Sequence, residues 1–133
     1  LQAWSTHEPE KIVSEMPDGF VYEDMPMKIT VRGREEMKAF VQDCFSAFPD
    51  FKLEHKSFFA SGNRGFGEWV MSGTFLGELQ SFGLKPTGKS FAIPGVSVFE
   101  VQGDKVTKET LYYDGAAFLQ VLGLIPEVPW APH

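Results

Sequence analysis

The chain has 133 residues, 43% of them hydrophobic and 14% aromatic, which is enough for one domain with a single core and too few for two. Twelve basic against 18 acidic residues give a net charge of −6 without any Lys/Arg run, so nucleic acid and an anionic membrane surface are not expected partners. No apolar stretch approaches the roughly 18 residues of a membrane helix, no signal-peptide pattern opens the chain, and the single Cys44 excludes an internal disulfide, so a cytoplasmic protein is expected.

The opening LQAWSTHEPE has no Met and reads like the end of a helix already under way, so the first helix is expected to begin before residue 1. Glu8 to Met16 is a short helix candidate with Pro9 in its first turn, where a missing N–H does no harm. PDG (17–19) breaks it. FVYEDM (20–25) alternates Phe20, Tyr22 and Asp24 on one face with Val21 and Glu23 on the other, and KITVR follows as a second short strand. From Arg34 to Phe48, the residues Met37, Phe40, Val41, Cys44, Phe45 and Phe48 recur at helical spacing as one buried stripe. Glu35 and Glu36 suit its N-terminal end, and Pro49 stops it. Cys44 lies inside the stripe, as a core thiol does.

Four strands are expected next, as an antiparallel meander from Phe51 to Tyr113. In FKLEHKSFF (51–59), Phe51, Leu53, His55, Ser57 and Phe59 share a face. FGEWVMSGTFLG sets Gly67, Trp69, Met71, Gly73 and Phe75 on one face, and SFAIPGVSVFEV does the same for Phe91, Ile93, Gly95, Ser97 and Phe99. QGDK (102–105) is a hairpin turn, and VTKETLYY (106–113) returns. A last helix runs from Gly115 to Leu122, stopped by Gly123 and Pro126. This order reads as α+β: a curved antiparallel sheet with helices, the Arg34–Phe48 helix among them, on its concave side.

The pieces W-x-x-H-x-P (4–9), VYEDMP, VRGREEMKAF, FSAFPDFKLE, SGTFLGE, PTGKSF, GVSVFEV/QGDKV and YYDGAAFLQVLGLIP resemble, in order, the nuclear-transport-factor-2-like superfamily. Within it they resemble the SnoaL-like polyketide cyclases and ketosteroid isomerases, over nearly the whole chain, read as one domain over 1–133. The resemblance implies a cone-shaped sheet closed by helices around an apolar pocket, commonly a homodimer, with no metal or organic cofactor and a hydrophobic small molecule as partner. The cyclases carry an acid/base Asp on the last strand and a His on the strand before it. Aligned through the QGDKV turn, those positions hold Leu111 and Ser97, neither of which can do that work.

Two carboxylates remain to be weighed. Asp114 stands where a strand ends and a helix begins, and reads as an N-cap. Asp24 resembles the isomerases' general base and shares a face with Tyr22 and Phe20, which suits a carboxylate of raised basicity at an apolar pocket. Its plain alternative is a side chain that bonds turn N–H groups. His55 is either a second acid/base group or a satisfied sheet histidine. Tyr22, Ser97 and Tyr113 could orient substrate oxygens, and Trp69, Met71, Phe91, Phe99 and Leu111 could line the pocket or simply pack. Glu100 and Glu109 read as solvated, and His7 as a helix-junction residue. Three scattered His residues give no metal-ligand spacing.

The expected function is cofactor-free proton-transfer chemistry on a hydrophobic carbonyl compound such as a polyketide- or terpenoid-like intermediate: isomerisation, cyclisation or dehydration. The alternative is a non-catalytic binding or accessory module on the same fold.

Overall fold

The computed structural model describes residues 4, 7–14 and 16–126. The element order is α1 (Pro9–Ser14), β1 (Val21–Asp24), β2 (Ile29–Arg32), α2 (Gly33–Ala47), β3 (Lys52–Ser61), β4 (Arg64–Thr74), β5 (Ser90–Gln102), β6 (Lys105–Tyr113) and α3 (Gly115–Val121). The strands form one curved sheet in the order β2-β1-β6-β5-β4-β3. The expected meander β3-β4-β5-β6 is antiparallel throughout. The β1–β2 hairpin extends it, and β1 lies parallel to β6, an exception to the all-antiparallel expectation. Among the described residues, no helix is long and apolar enough to cross a membrane.

Helix α2 starts because the Glu36 carboxylate turns back to accept the Arg32 backbone N–H at 3.0 Å, satisfying one of the donors a helix leaves open at its N-terminus. It buries Met37, Val41 and Ala47 completely. Phe48 then packs on Phe75 and Phe91 at 5.4 and 5.2 Å between ring centroids, tying the helix's end to the concave side of the sheet. The connection from β4 to β5 approaches the same helix end so closely that the Leu76 and Gly77 N–H groups both donate to the Ala47 carbonyl. A Cβ on Gly77 would stand 2.1 Å from the Ser46 carbonyl oxygen, so only glycine fits there.

One strand departs from its expected alternation. The pairing of β3 with β4 runs His55 to Trp69, then Ser57 to Glu68, leaving Lys56 as an extra residue. This bulge reverses the faces beyond it. Phe58, not Phe59, joins the concave side, where its ring meets Phe99 at 6.0 Å. Ser57 turns outward and donates to Glu68 at 2.7 Å, and Phe59 is 69% exposed.

Asp114 is the N-cap of α3, its Oδ1 accepting the Ala117 N–H at 2.9 Å. Replacing it with Ala should lower stability by about 0.5–2 kcal/mol, and Asn should restore most of that. Chemical denaturation of the two variants checks this. An Ala variant as stable as the parent, or an Asn variant no better than Ala, would remove the capping role.

Candidate functional site

The concave faces of β1, β6, β5 and β4 form a lattice fixed by strand register. Tyr22 stands opposite Glu109 and Asp24 opposite Leu111 across β1 and β6. On β5 and β4, Ser97 stands opposite Leu111 and Gly67, and Gly95 opposite Tyr113 and Trp69. Two neighbouring cavities lie over this lattice.

The inner cavity, of about 90 Å³, is walled by Tyr22, Asp24, Trp69, Met71, Leu111 and Tyr113 from the sheet. Phe40 and Cys44 of α2, Phe48 just after it, Phe82 from the β4–β5 connection, and Phe118 of α3 close it over. The outer cavity, of about 230 Å³, is lined by His55, Phe58, Ser97 and Phe99 of the sheet, by Lys11 of α1 and by Lys105. Trp69 and Glu109 line both. The sequence-predicted residues are therefore divided. Tyr22, Asp24, Met71, Phe91, Leu111 and Tyr113 share the inner cavity, Ser97, Phe99 and His55 open on the outer one, and Trp69 stands between them.

Asp24 is 7% exposed. The Tyr113 hydroxyl donates to it at 3.0 Å from Oδ1 and 2.9 Å from Oδ2, and the Met27 N–H reaches Oδ1 at 3.1 Å. The turn-bonding role and the cavity-lining role thus coexist in one side chain. Burial raises the Asp24 pKa, and the two donors only partly oppose it. Tyr113 is in turn fixed by its ring contacts, edge-on to Phe118 at 6.0 Å and tilted to Trp69 at 6.2 Å. Burial also pushes the Tyr22 and Tyr113 phenols well above their usual value, so both stay protonated donors. The Cys44 thiol is pushed up in the same way and is no nucleophile.

The second polar cluster runs across the sheet. The Trp69 indole N–H donates to Ser97 Oγ at 2.8 Å, and Ser97 Oγ donates to Glu109 Oε2 at 2.8 Å. Gly95 makes the approach possible, since a Cβ there would lie 2.3 Å from the Trp69 ring. Ser97 is completely buried. Glu109 corrects the expectation of a solvated side chain: it is half-buried, and desolvation lifts its carboxyl to about 7, against the Ser97 hydrogen bond, which lowers it. Glu100 is exposed, as expected. The sequence signal for Glu109 was its two-residue spacing from Leu111 and Tyr113, which puts all three on the concave face. His7 bonds the Phe51 carbonyl oxygen through Nε2 at 2.5 Å, tying the segment before α1 to the strand region. Among the described residues, no group of three His, Cys, Asp or Glu could hold a metal ion.

The Glu109 carboxyl makes stability pH-dependent with a definite sign. Its folded value lies above its unfolded one, so the native chain holds the proton longer and loses stability as pH rises from 4.5 to about 7. Denaturation across this interval should show that loss, and Glu109→Gln, which cannot titrate, should flatten it. An equal slope in the variant would show that Glu109 titrates as an ordinary carboxylate.

Known proteins share this architecture. Among curated proteins, none matches the chain. A hypothetical protein with a ketosteroid isomerase-like fold from Catenulispora acidiphila, solved with trimethylamine, superposes with a TM-score of 0.79 at 22% identity, over 98% of this chain and 92% of its own. AclR from Streptomyces galilaeus, provisionally assigned as a hydroxylase, gives 0.77 at 25% identity over 96% and 82%. A protein from Jannaschia sp. CCS1, provisionally assigned as a SnoaL-like polyketide cyclase, gives 0.77 at 20% over 89% and 80%. The family model for the SnoaL-like polyketide cyclases matches residues 1–122, and the chain belongs to that family.

Proposed function

We propose that this chain is a cofactor-free acid/base enzyme that moves a proton beside the carbonyl of a hydrophobic compound, with Asp24 as the base. The observation that carries the reading is a carboxylate 7% exposed in an apolar cavity and held by neutral donors alone in the contacts it makes. Among the described residues no cation pairs with it, so taking up a proton relieves the cost of burial. Oδ1 carries both the Met27 N–H and a share of the Tyr113 hydroxyl, which leaves Oδ2 the less occupied oxygen and the one to receive the proton. Tyr113 positions the carboxylate, and the Phe and Met walls supply binding and exclude water. Abstraction of a proton next to a carbonyl opens isomerisation, cyclisation and dehydration alike.

A second reading, a binding module without catalysis, has one specific observation in its favour. Ser97 and Leu111 occupy the positions where the cyclases carry their acid/base pair. It predicts that Asp24 contributes to ligand affinity alone.

Asp24→Asn keeps size and polarity and removes the base. Turnover should fall about 10²–10⁴-fold with ligand affinity retained. Because burial raises the Asp24 pKa, the acid limb of the wild-type rate profile should lie higher than an unperturbed aspartate would place it. Kinetics and binding on the two proteins decide between the readings; wild-type turnover in the Asn variant removes Asp24 from the mechanism.

The protein is further proposed to work in the cytoplasm as a homodimer. On the convex side of the sheet Phe59 pairs with Phe66 and Val96 with Tyr112, and all four are exposed apolar side chains. A patch of this kind is a natural self-association surface. Sedimentation should show twice the chain mass, and Phe59→Lys with Phe66→Lys should halve it. A wild type that sediments as a monomer ends the dimer proposal.

A further inference from the structure

Glu109 has no part in the chemistry just described, yet it lines both cavities and sits at the end of a one-way hydrogen-bond chain. An indole N–H can donate and never accept. Ser97 Oγ, 2.8 Å from Trp69 Nε1, must therefore be its acceptor, and the single Ser97 hydrogen is left to point at Glu109 Oε2. Oε2 is thereby held as an acceptor. When the carboxyl is neutral, its proton belongs on Oε1.

We propose that Glu109 is a catalytic residue, the proton donor to the substrate's carbonyl oxygen, with Ser97 and Trp69 as positioning residues that fix which oxygen carries the proton. The inference rests on the reading of Asp24 as the base. Strand register supports the pairing of roles. Glu109 faces Tyr22, and Asp24 lies two residues along the same strand. Strand spacing and rise put the Asp24 and Glu109 backbones about 8 Å apart on one concave face. An acid and a base so placed can grip opposite ends of an H–C–C=O unit, each within hydrogen-bond reach.

The step balances without a further reactant. Asp24 takes the proton from the carbon next to the carbonyl, and the C–H electron pair becomes the new C=C bond. The former C=O π pair takes the Glu109 proton, giving an enol, an Asp24 carboxylic acid and a Glu109 carboxylate. Returning the Asp24 proton to the same carbon or a conjugated one, and the enol proton to Glu109, restores the enzyme. The substrate class is an enolisable ketone or enone with an apolar skeleton.

Several titratable groups face Glu109 or share its cavities. Tyr22 and Asp24 come from β1, Tyr113 from β6 and Cys44 from α2. Lys11 of α1, His55 of β3, and Asp104 and Lys105 at the hairpin surround the outer cavity. Tyr22, Tyr113 and Cys44 are all pushed upward by burial and do not ionise near neutrality. Glu109 is lifted to about 7, so the acid form is present at neutral pH and is lost as pH rises through that value.

The test has two arms. In the first, the free protein is labelled with glutamate carrying ¹³C at the carboxyl, and the resonance absent from Glu109→Gln is titrated. It should titrate near 7, and higher in Ser97→Ala, where the donor that favours the charged form is gone, with Ser97→Thr restoring the wild-type value. A resonance that titrates in the ordinary carboxylate range, or is indifferent to Ser97→Ala, overturns the proposal. In the second arm, α-proton exchange of cyclohexanone and α-tetralone in D₂O is followed by proton NMR across pH. The wild-type rate should fall as pH rises through about 7. Glu109→Ala should lose about 10²–10⁴-fold. Glu109→Gln, a permanent donor without a transferable proton, should be slower at pH 6 and lose the alkaline limb.

The outcomes separate the two ideas. Exchange that vanishes in Asp24→Asn while Glu109→Gln keeps the wild-type profile sinks the role of Glu109 and spares Asp24. Loss in Glu109→Ala with normal exchange in Asp24→Asn removes Asp24 as the base and, with it, the acid–base pairing proposed here. An alkaline limb that disappears in His55→Gln and not in Glu109→Gln assigns the titration to the histidine and overturns the proposal. Failure of the wild-type protein to exchange either ketone ends both.

Discussion

The parallel pairing of β1 with β6 is the constraint on which the site depends. It joins two pieces of chain that lie far apart in sequence, the hairpin of residues 21–32 and the last strand of the meander. Its register sets Tyr22 against Glu109 and Asp24 against Leu111. Two residues farther along β6, the Tyr113 hydroxyl comes within reach of the Asp24 carboxylate. A shift of one residue in that register would turn Tyr22 and Asp24 to the convex face and empty the inner cavity of its carboxylate.

Desolvation opposed mainly by neutral donors is the second theme. Asp24 and Glu109 are held by hydroxyl and backbone donors, and among the described residues neither forms an ion pair. Neutral donors lower the cost of a buried charge and do not cancel it, so desolvation dominates both groups and raises both pKa values. The exposed ion pairs, such as Lys56 with Glu54, contribute little to this balance. Raised carboxyl groups cost stability at neutral pH, a cost often met at functional sites.

The packing around Tyr113 explains how an exposed cap can matter to a buried site. Asp114 starts α3, which carries Phe118 onto Phe48, Phe91 and Tyr113, with ring centroids 6.3, 5.0 and 6.0 Å apart. That ring holds the phenol whose hydroxyl meets Asp24. The cap acts through the helix and touches no cavity. Membership of the SnoaL-like family does not by itself assign a reaction, because the fold presents a cavity and the side chains facing it decide the chemistry. Here Ser97 has a structural partner on each side, and Leu111 is plain wall.

The sequence by itself determined the elements and their faces. The apolar stripe from Met37 to Phe48 could only be one side of a helix, and the alternations through Trp69, Phe91 and Tyr113 could only be half-buried strands. Asp114 was legible as a cap because capping is local chemistry, and Asp24 was legible as a cavity candidate because it alternates with Phe20 and Tyr22. Tertiary structure alone decided the rest. The bulge at Lys56, which exchanges Phe58 for Phe59, depends on how β3 pairs with β4 and leaves no mark in a period of two. The hydrogen-bond chain that ends on Glu109 depends on Trp69 fitting over Gly95 to reach Ser97, a contact across 28 residues. Periodicity assigns a residue to a face of its own strand; which polar groups meet across strands is set by register, and register is a property of the folded sheet.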